Sequence, residues 1–132
     1  MRQPPTEREL EALKILWDRG ESTVRELWEA MSSDGEPTPY TTVLSLLQVM
    51  KKKGLVSHRR KGRAHVYRPK VERDSAFRSL ASAFLDRVFD GAVDEYLVHA
   101  LESRKLEETE LNSLEAMIEA ARKRSEKKED TE

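Results

Sequence analysis

A strongly basic segment lies in the middle of the chain, where VSHRRKGRAHVY occupies residues 56–67. Four of these twelve residues are Lys or Arg, two are His, and none is acidic. The acid-free region is longer still, because residues 37–71 contain nine Lys and Arg side chains but neither Asp nor Glu. Clustered cations without neighbouring carboxylates repel one another unless a polyanion faces them. This region therefore predicts a binding surface for nucleic acid.

Catalytic chemistry finds little support in the sequence. There is no Cys, no Gly-rich phosphate loop and no H-E-x-x-H motif, so cysteine, P-loop and zinc-protease chemistry are not expected. His58 and His65 both lie in the basic segment, but two imidazoles without a third ligand are weak evidence for a metal site. We therefore expect neither catalytic residues nor a bound metal or cofactor.

Charge is distributed unevenly along the 132 residues. Residues 1–70 contain 14 Lys and Arg against 9 Asp and Glu, a formal charge of +5, whereas residues 71–132 contain 10 against 16, a charge of −6. Opposite signs in the two halves predict two tasks, with the polyanion on the first half. The longest uncharged stretch, residues 37–50, is too short and too polar to span a bilayer. We therefore expect no membrane insertion and a cytoplasmic location.

Local motifs predict two helices before residue 33. Thr6 with Glu9, and Thr23 with Glu26, have the spacing of capping boxes. In such a box a hydroxyl and a carboxylate each satisfy a free N–H group at the start of a helix. Gly20 follows the first apolar stripe and predicts a left-handed end to the first helix.

A third helix is predicted to have one apolar and one polar side. Thr38 is its predicted cap, Pro39 lies in the first turn where no N–H is needed, and Gly54 follows its end. Its polar side carries hydroxyl, amide and ammonium groups without a carboxylate, so it could form hydrogen bonds with base edges and phosphates. An ordinary solvent-exposed helix face is the alternative interpretation. The candidate contacts are Thr38, Tyr40, Thr41, Thr42, Ser45, Gln48 and Lys52.

Two strand-like runs follow, separated by a predicted two-residue turn at Lys61–Gly62. Three helices and then a hairpin is the element order of a winged helix-turn-helix, in which the hairpin is called the wing. Cations on a wing fit the DNA backbone or the minor groove, whereas a solvated turn is the alternative interpretation. The candidate wing contacts are Arg59, Arg60, Lys61, Arg63 and His65.

Residues 71–124 are predicted to form three further helices that are rich in apolar positions, and residues 125–132 a frayed, charged tail. These helices are too apolar and too few to close a core of their own, so a second copy of the chain is the expected partner. The predicted fold is mostly α with a small β-hairpin, comprising a winged helix-turn-helix domain over residues 1–70 and a helical dimerisation domain. The candidate dimerisation residues are Phe77, Leu80, Phe84, Leu85, Val88, Phe89, Val93, Tyr96, Leu97, Leu101, Leu111, Leu114 and Ile118.

Four strings carry a resemblance to a known family. They are ELEALKILWDRG, PYTTVLSLLQVMKKKGLV, GRAHVYRP and FLDRVFDGAVDEYLV, in this order between residues 6 and 122. In these strings the chain resembles the penicillinase-repressor and methicillin-resistance-regulator family of bacterial winged-helix repressors. The resemblance implies a homodimer that represses transcription at palindromic operators on double-stranded DNA, with antibiotic resistance as one of the traits regulated.

The resemblance also implies a way in which repression ends. In the antibiotic-resistance branch, a membrane-embedded sensor protease triggers cleavage in the dimerisation domain, and the matching bond here is His99–Ala100. The chain departs from that branch at the residues flanking this bond. It also has Val49 where family members often carry Arg. A winged-helix module that docks an acidic protein partner is the alternative function.

Overall fold

The computed structural model describes residues 4–32 and 37–130, with side chains up to Lys128. The described part is mostly helical with one small antiparallel sheet of strand order β1-β3-β2, which confirms the predicted fold class. The elements are α1 (Glu7–Arg19), β1 (Ser22–Thr23), α2 (Val24–Ser32), α3 (Tyr40–Lys52), β2 (Val56–Lys61), β3 (Ala64–Pro69), α4 (Arg73–Phe89), α5 (Val93–Ser103) and α6 (Glu108–Asp130).

Both predicted capping boxes are confirmed. The Glu9 N–H donates to the Thr6 hydroxyl at 3.3 Å and the Thr6 N–H donates to the Glu9 carboxylate at 2.9 Å. Thr23 and Glu26 exchange the same two bonds at 3.0 and 3.1 Å. Gly20 ends α1 with a positive φ of 86°, as predicted, but its ψ of −160° differs from that of a left-handed helical residue. The backbone has to extend at this point because β1 begins two residues later.

The first three helices and the sheet enclose one apolar core. The side chains of Leu13, Leu16, Leu27, Leu47 and Met50 are fully buried in it. Burial of each such side chain stabilises the fold by about 1.5–3 kcal/mol. The core is therefore closed by residues of this chain alone, and it fixes the position of α3 against the sheet.

The sheet contains a strand that the sequence did not predict. Ser22 and Thr23 of β1 pair with Tyr67 and Val66 of β3, so the hairpin is hydrogen-bonded to the segment between α1 and α2. The turn of the hairpin is also displaced by one residue from its predicted place. Lys61 pairs with Ala64, which makes residues 62 and 63 the turn. Gly62 has φ 64°, the conformation that the first position of a type II′ turn requires.

The start of α3 differs from the prediction. The helix begins at Tyr40, Pro39 occupies the N-cap position, and no side chain caps the helix. Thr38 lies one residue before the cap position, and its hydroxyl accepts a hydrogen bond from Arg8 of α1 at 3.4 Å. Pro39, whose conformation is extended at ψ 143°, brings the chain out of the core and into the helix.

By its backbone contacts the chain divides into two compact units, residues 1–88 and residues 89–132. The second unit contains α5 and α6, and within its described part no side chain is buried. The segment predicted to be a frayed tail, residues 125–132, is helical as far as Asp130, where α6 ends, and residues 131–132 lie outside the described part. Lys, Arg and Glu favour helices, and opposite charges four residues apart, as in Glu119 and Lys123, support one another. Across residues 4–32 and 37–130, no helix has the length and apolarity needed to cross a membrane.

Candidate nucleic-acid interface

The exposed side of α3 is polar apart from Val49 and carries no carboxylate. Five predicted contacts lie opposite the buried side of the helix, and all five are exposed. We call this set the polar face of α3. Its hydroxyl and amide groups can both donate and accept hydrogen bonds, and its ammonium group can donate them. The members are Thr41, Thr42, Ser45, Gln48 and Lys52.

The two other predicted contacts on this segment, Tyr40 and Thr38, lie at the start of the helix. Tyr40 is exposed, and its ring meets Trp28 edge-on with the centroids 5.9 Å apart. Thr38 is only 4% exposed, and its carbonyl accepts a hydrogen bond from Trp28 Nε1 at 2.6 Å. Thr38 therefore lies beneath the surface and supports the start of α3 from below.

The hairpin exposes its predicted contacts around the turn. Arg60, Lys61, Arg63 and His65 are all exposed. Within the part of the chain that the structure describes, the guanidinium groups of Arg60 and Arg63 form no hydrogen bond or ion pair. Two guanidinium groups are therefore available to a polyanion, and each can contact a phosphate through two parallel N–H groups.

Arg59 differs from these residues because a carboxylate from a distant part of the chain already pairs with it. Arg59 Nε donates to Glu21 Oε2 at 2.9 Å, and Nη2 donates to Glu21 Oε1 at 3.4 Å. Both side chains are partly exposed, so the pair contributes only about 0–1 kcal/mol to stability. The expectation that no carboxylate neighbours the basic segment is thus wrong. Glu21 is remote in sequence but adjacent in the fold.

A second carboxylate, that of Glu9, pairs with Lys53 at the end of α3. Lys53 Nζ lies 2.9 and 3.1 Å from the two Glu9 oxygens, and Glu9 is only 2% exposed. Burial by itself would raise the pKa of Glu9. The hydrogen bond from the Thr6 N–H and the Lys53 ammonium outweigh burial and hold this pKa below its ordinary value. The pair fastens the end of α3 to the start of α1.

A groove of about 570 Å³ separates α3 from the hairpin. Gln48, Lys51 and Lys52 line it from the helix, and from the sheet it is lined by His58, His65 and Tyr67. The rings of His58 and His65 are 4.9 Å apart, although the strand register places His58 opposite Tyr67. Burial first, and then the charges of Lys51 and His65, lower the pKa of His58, which favours its neutral form. Among the described residues, no three His, Cys, Asp or Glu side chains are grouped as metal ligands would be.

The candidate dimerisation residues are spread over α4, α5 and α6. Phe77 already packs within its own unit, edge-on against Trp17 at 5.8 Å and with the Arg73 guanidinium 4.4 Å above its ring. Both residues of the candidate cleavage bond lie inside α5, with His99 exposed and Ala100 partly buried. The remaining candidates differ in exposure. The partly buried ones are Leu80, Leu85, Phe89, Leu97 and Leu114. The exposed ones are Phe84, Val88, Val93, Tyr96, Leu101, Leu111 and Ile118.

Several relevant residues were missing from the sequence-based set. Val49, on the solvent side of α3, is 46% exposed, and Val98 and Met117 are exposed on α5 and α6. A helical projection places Val49 next to Ser45, four residues earlier, but the predicted contacts were limited to side chains with hydrogen-bonding groups. Glu21 carried no local signal, because its partner lies 38 residues away.

The helical core, the paired hairpin and the exposed, acid-free α3 define a winged helix-turn-helix protein of the DNA-binding class. The chain belongs to the penicillinase repressor family, whose model matches residues 5–120. It is therefore a DNA-binding transcriptional repressor and not an enzyme, as the sequence predicted.

Individual relatives agree with this membership. The chain is 28% identical over 116 residues to the penicillinase repressor of Bacillus licheniformis, covering 88% of this chain and 90% of that protein. It is 40% identical over 89 residues to the transcriptional regulator BlaI of Mycobacterium tuberculosis, covering 66% of this chain and 64% of that protein. A solution structure of monomeric Bacillus licheniformis BlaI with the blaP half-operator matches with 24% identity and a TM-score of 0.49. That match covers 56% of this chain and 89% of the other.

Proposed function

We propose that the chain represses transcription by binding palindromic operators as a homodimer, with α3 in the major groove and the hairpin against the DNA backbone. The observation that carries this proposal is the polar face of α3, which is exposed and free of carboxylates, beside the guanidinium groups of Arg60 and Arg63, which are unpaired among the described residues. A helix of this kind fits the width of the major groove, where each base pair presents a distinct set of donors and acceptors.

Gln48 is the proposed source of sequence choice on the polar face of α3. Its amide can donate to and accept from adenine N7 and N6 in a two-point contact, which discriminates against other bases by about 1–3 kcal/mol. Thr41, Thr42 and Ser45 are proposed to contact bases or phosphates, and Lys52 a phosphate.

The wing is the proposed source of affinity. Arg60, Lys61 and Arg63 surround the turn, and contacts from this position reach phosphates or the minor groove. His65 extends this surface toward the groove beside α3. Each phosphate contact steepens the dependence of log affinity on log salt by about 0.9, so a dimer with two wings binds in a strongly salt-dependent way. Arg59 contributes less than its sequence position suggests, because Glu21 partly neutralises it.

Dimerisation is proposed through the helices after residue 71. Between α5 and α6 lies a groove of about 590 Å³, and its walls include Tyr96, Leu101, Leu114 and Met117. Exposed apolar side chains such as Leu101 and Met117 on a charge-rich chain are best covered by a second copy, since two-fold symmetry buries the same patch twice. Linking two half-site contacts makes the second one intramolecular, which strengthens operator binding without any new contact.

Cleavage at His99–Ala100 by a membrane-embedded sensor protease is the proposed end of repression, in the cytoplasm. The bond lies within α5 (Val93–Ser103), where the backbone is helical. Proteases need an extended segment, so α5 must open locally before this bond can be cut. The names of the relatives connect the family to penicillinase, and regulation of antibiotic resistance is a proposed output on that ground.

The proposal is tested by letting the purified protein select duplexes from fragmented bacterial genomic DNA. Enrichment of a palindromic motif is expected. The variant Arg60→Ala/Arg63→Ala should weaken binding to all duplexes and flatten the salt dependence, whereas Gln48→Ala should relax sequence choice. Arg122→Ala/Arg124→Ala, which makes the same change in net charge on α6, is the control. Uniform, salt-sensitive recovery without a motif would contradict operator binding and favour the module that docks an acidic partner.

A further inference from the structure

One apolar side chain is exposed beside the polar face of α3. Val49 follows Ser45 by four residues and precedes Lys52 by three, so the three side chains are neighbours on the helix surface. Val49 is 46% exposed, whereas Val43 on the other side of the same helix is fully buried. Val49 also borders a shallow hollow of about 280 Å³, which is lined by Thr42 and Ser45 of α3 and by residues of α1 and α2. The side of the helix that we assign to DNA therefore carries an aliphatic group that the core does not use.

We propose that Val49 reads thymine by contact with its C5-methyl group. This inference rests on the proposed function, because it needs α3 in the major groove. There the thymine methyl is the one apolar group that a base pair presents, and side-chain methyl groups are its natural partners. A valine side chain has two methyl groups and no polar atom, so it can cover the thymine methyl without competing for hydrogen bonds.

The same contact discriminates against cytosine in two ways. Cytosine lacks the C5-methyl group, so the apolar contact is lost. Cytosine also presents an N4 donor, and valine has no acceptor to satisfy it once water is excluded. Gln48 and Val49 are consecutive on the helix and separated by about 100° around its axis. The Gln48 amide, which is proposed to contact adenine, and the Val49 methyl groups, which are proposed to contact thymine, would thus lie against different base pairs of one half-site.

The test combines removal of the methyl group from the DNA with its removal from the protein. The probe is the duplex most enriched from a random-sequence library by the wild-type protein. Each thymine is replaced in turn by deoxyuridine, which lacks only the C5-methyl group. Dissociation constants are then measured for wild type, Val49→Ala and the neighbouring variant Gln48→Ala. Thermal unfolding of each variant, followed by circular dichroism, establishes that it is folded.

The wild type is expected to lose about fourfold in affinity at one thymine per half-site, the fold-change that corresponds to burial of one CH₂ group. Val49→Ala should bind the thymine duplex about fourfold more weakly and show no further loss with deoxyuridine. Gln48→Ala should keep the loss at that thymine. If deoxyuridine is harmless everywhere, or Val49→Ala remains as sensitive as wild type, the inference is overturned while operator binding stands. If the library yields no motif, operator binding and this inference fail together.

Discussion

The winged-helix core and the C-terminal helix pair differ in whether their apolar side chains are buried. In the first, Leu13, Leu47 and Met50 are fully buried by residues of the same chain. In the second, α5 and α6 contain no buried side chain within the described residues, and Leu101 and Ile118 face outward. The difference arises because three helices and a sheet can surround a core on all sides. Two helices can pack only against each other, and their other sides stay exposed.

This difference separates two kinds of stability. The free energy of unfolding of the winged-helix core should be a property of one chain and independent of protein concentration. The C-terminal helices, if they depend on a partner copy as proposed, should gain stability by mass action as concentration rises. Trp17 and Trp28 both lie in the first unit, so tryptophan fluorescence reports on that unit alone.

The largest effect is expected from Leu47→Ala. This variant leaves a cavity in a fully buried site and should reduce the free energy of unfolding by about 2–5 kcal/mol. The loss, measured by denaturant titration of tryptophan fluorescence, should be equal at low and high protein concentration. Leu101→Ala, the matched leucine on α5, should leave that transition unchanged. Equal losses of unfolding free energy in the two variants would contradict the claim that only the first region has a closed core.

Ile118→Asp should disrupt dimerisation through the C-terminal helices and leave the stability of the winged-helix core unchanged. Ile118 is 50% exposed in the single chain, and a carboxylate at this place would be buried without a partner in a dimer, once in each copy. Sedimentation equilibrium should show the dimer dissociation constant raised by at least about tenfold, because burial of the exposed half of the isoleucine side chain is lost in both copies. Asn112→Asp adds the same charge elsewhere on α6 and should remain dimeric. Dimerisation that survives Ile118→Asp would show that α6 lies outside the interface.

Glu9→Gln should reduce the free energy of unfolding of the winged-helix core by removing a polar contact. At neutral pH the partly exposed Lys53 ammonium would lose its buried partner, at an expected loss of about 1–3 kcal/mol in unfolding free energy. Because folding lowers the pKa of Glu9, the unfolded chain takes up the proton first as the pH falls. The advantage of wild type is thus complete above the ordinary carboxyl value of about 4.3 and shrinks below it.

The corresponding measurement is denaturant unfolding of both proteins between pH 7 and pH 3. The two stability curves should converge as the pH falls through the lowered pKa of Glu9. Glu11→Gln is the control, because Glu11 lies on the same helix in a more exposed pair with Arg8 and its loss should stay within about 1 kcal/mol. A constant gap between wild type and Glu9→Gln down to pH 3 would contradict the assigned role.

The smallest expected effect concerns the surface of the first region alone. Glu21→Gln releases Arg59 for phosphate contacts and should tighten binding to random duplex DNA by about two- to fivefold. Stability and dimerisation should not change. Glu29→Gln, which removes the same charge from an exposed pair with Arg25 on α2, is the control in a filter-binding titration. An equal gain from both variants would point to net charge alone.

Features that depend on neighbouring residues could be predicted from the sequence. The capping boxes at Thr6 and Thr23 are formed within four residues, and the buried side of α3 follows from helical periodicity. For the same reason the polar face of α3 and the cations of the hairpin were located correctly on exposed surfaces. Their roles in DNA binding stay predictions.

Features that join distant residues could not be predicted in this way. Glu21 and Arg59 are 38 residues apart, and Glu9 and Lys53 are 44 apart. No periodicity marks such pairs, because each is created by the packing of separate elements. Thr38 shows a related limit: its residue type predicted a cap, but the helix begins one residue later than expected, and Thr38 is buried with its hydroxyl bonded to Arg8.

The two-residue strand β1 has a consequence for how protein and duplex fit together. Its pairing with β3 joins the hairpin to the α1–α2 segment, while the shared core holds α3 against the same sheet. The distance between α3 and the hairpin is thus fixed by the fold before DNA binds. In the proposed complex the adjustment then falls to the duplex, so easily deformed base steps beneath the wing should be favoured even where no side chain touches a base.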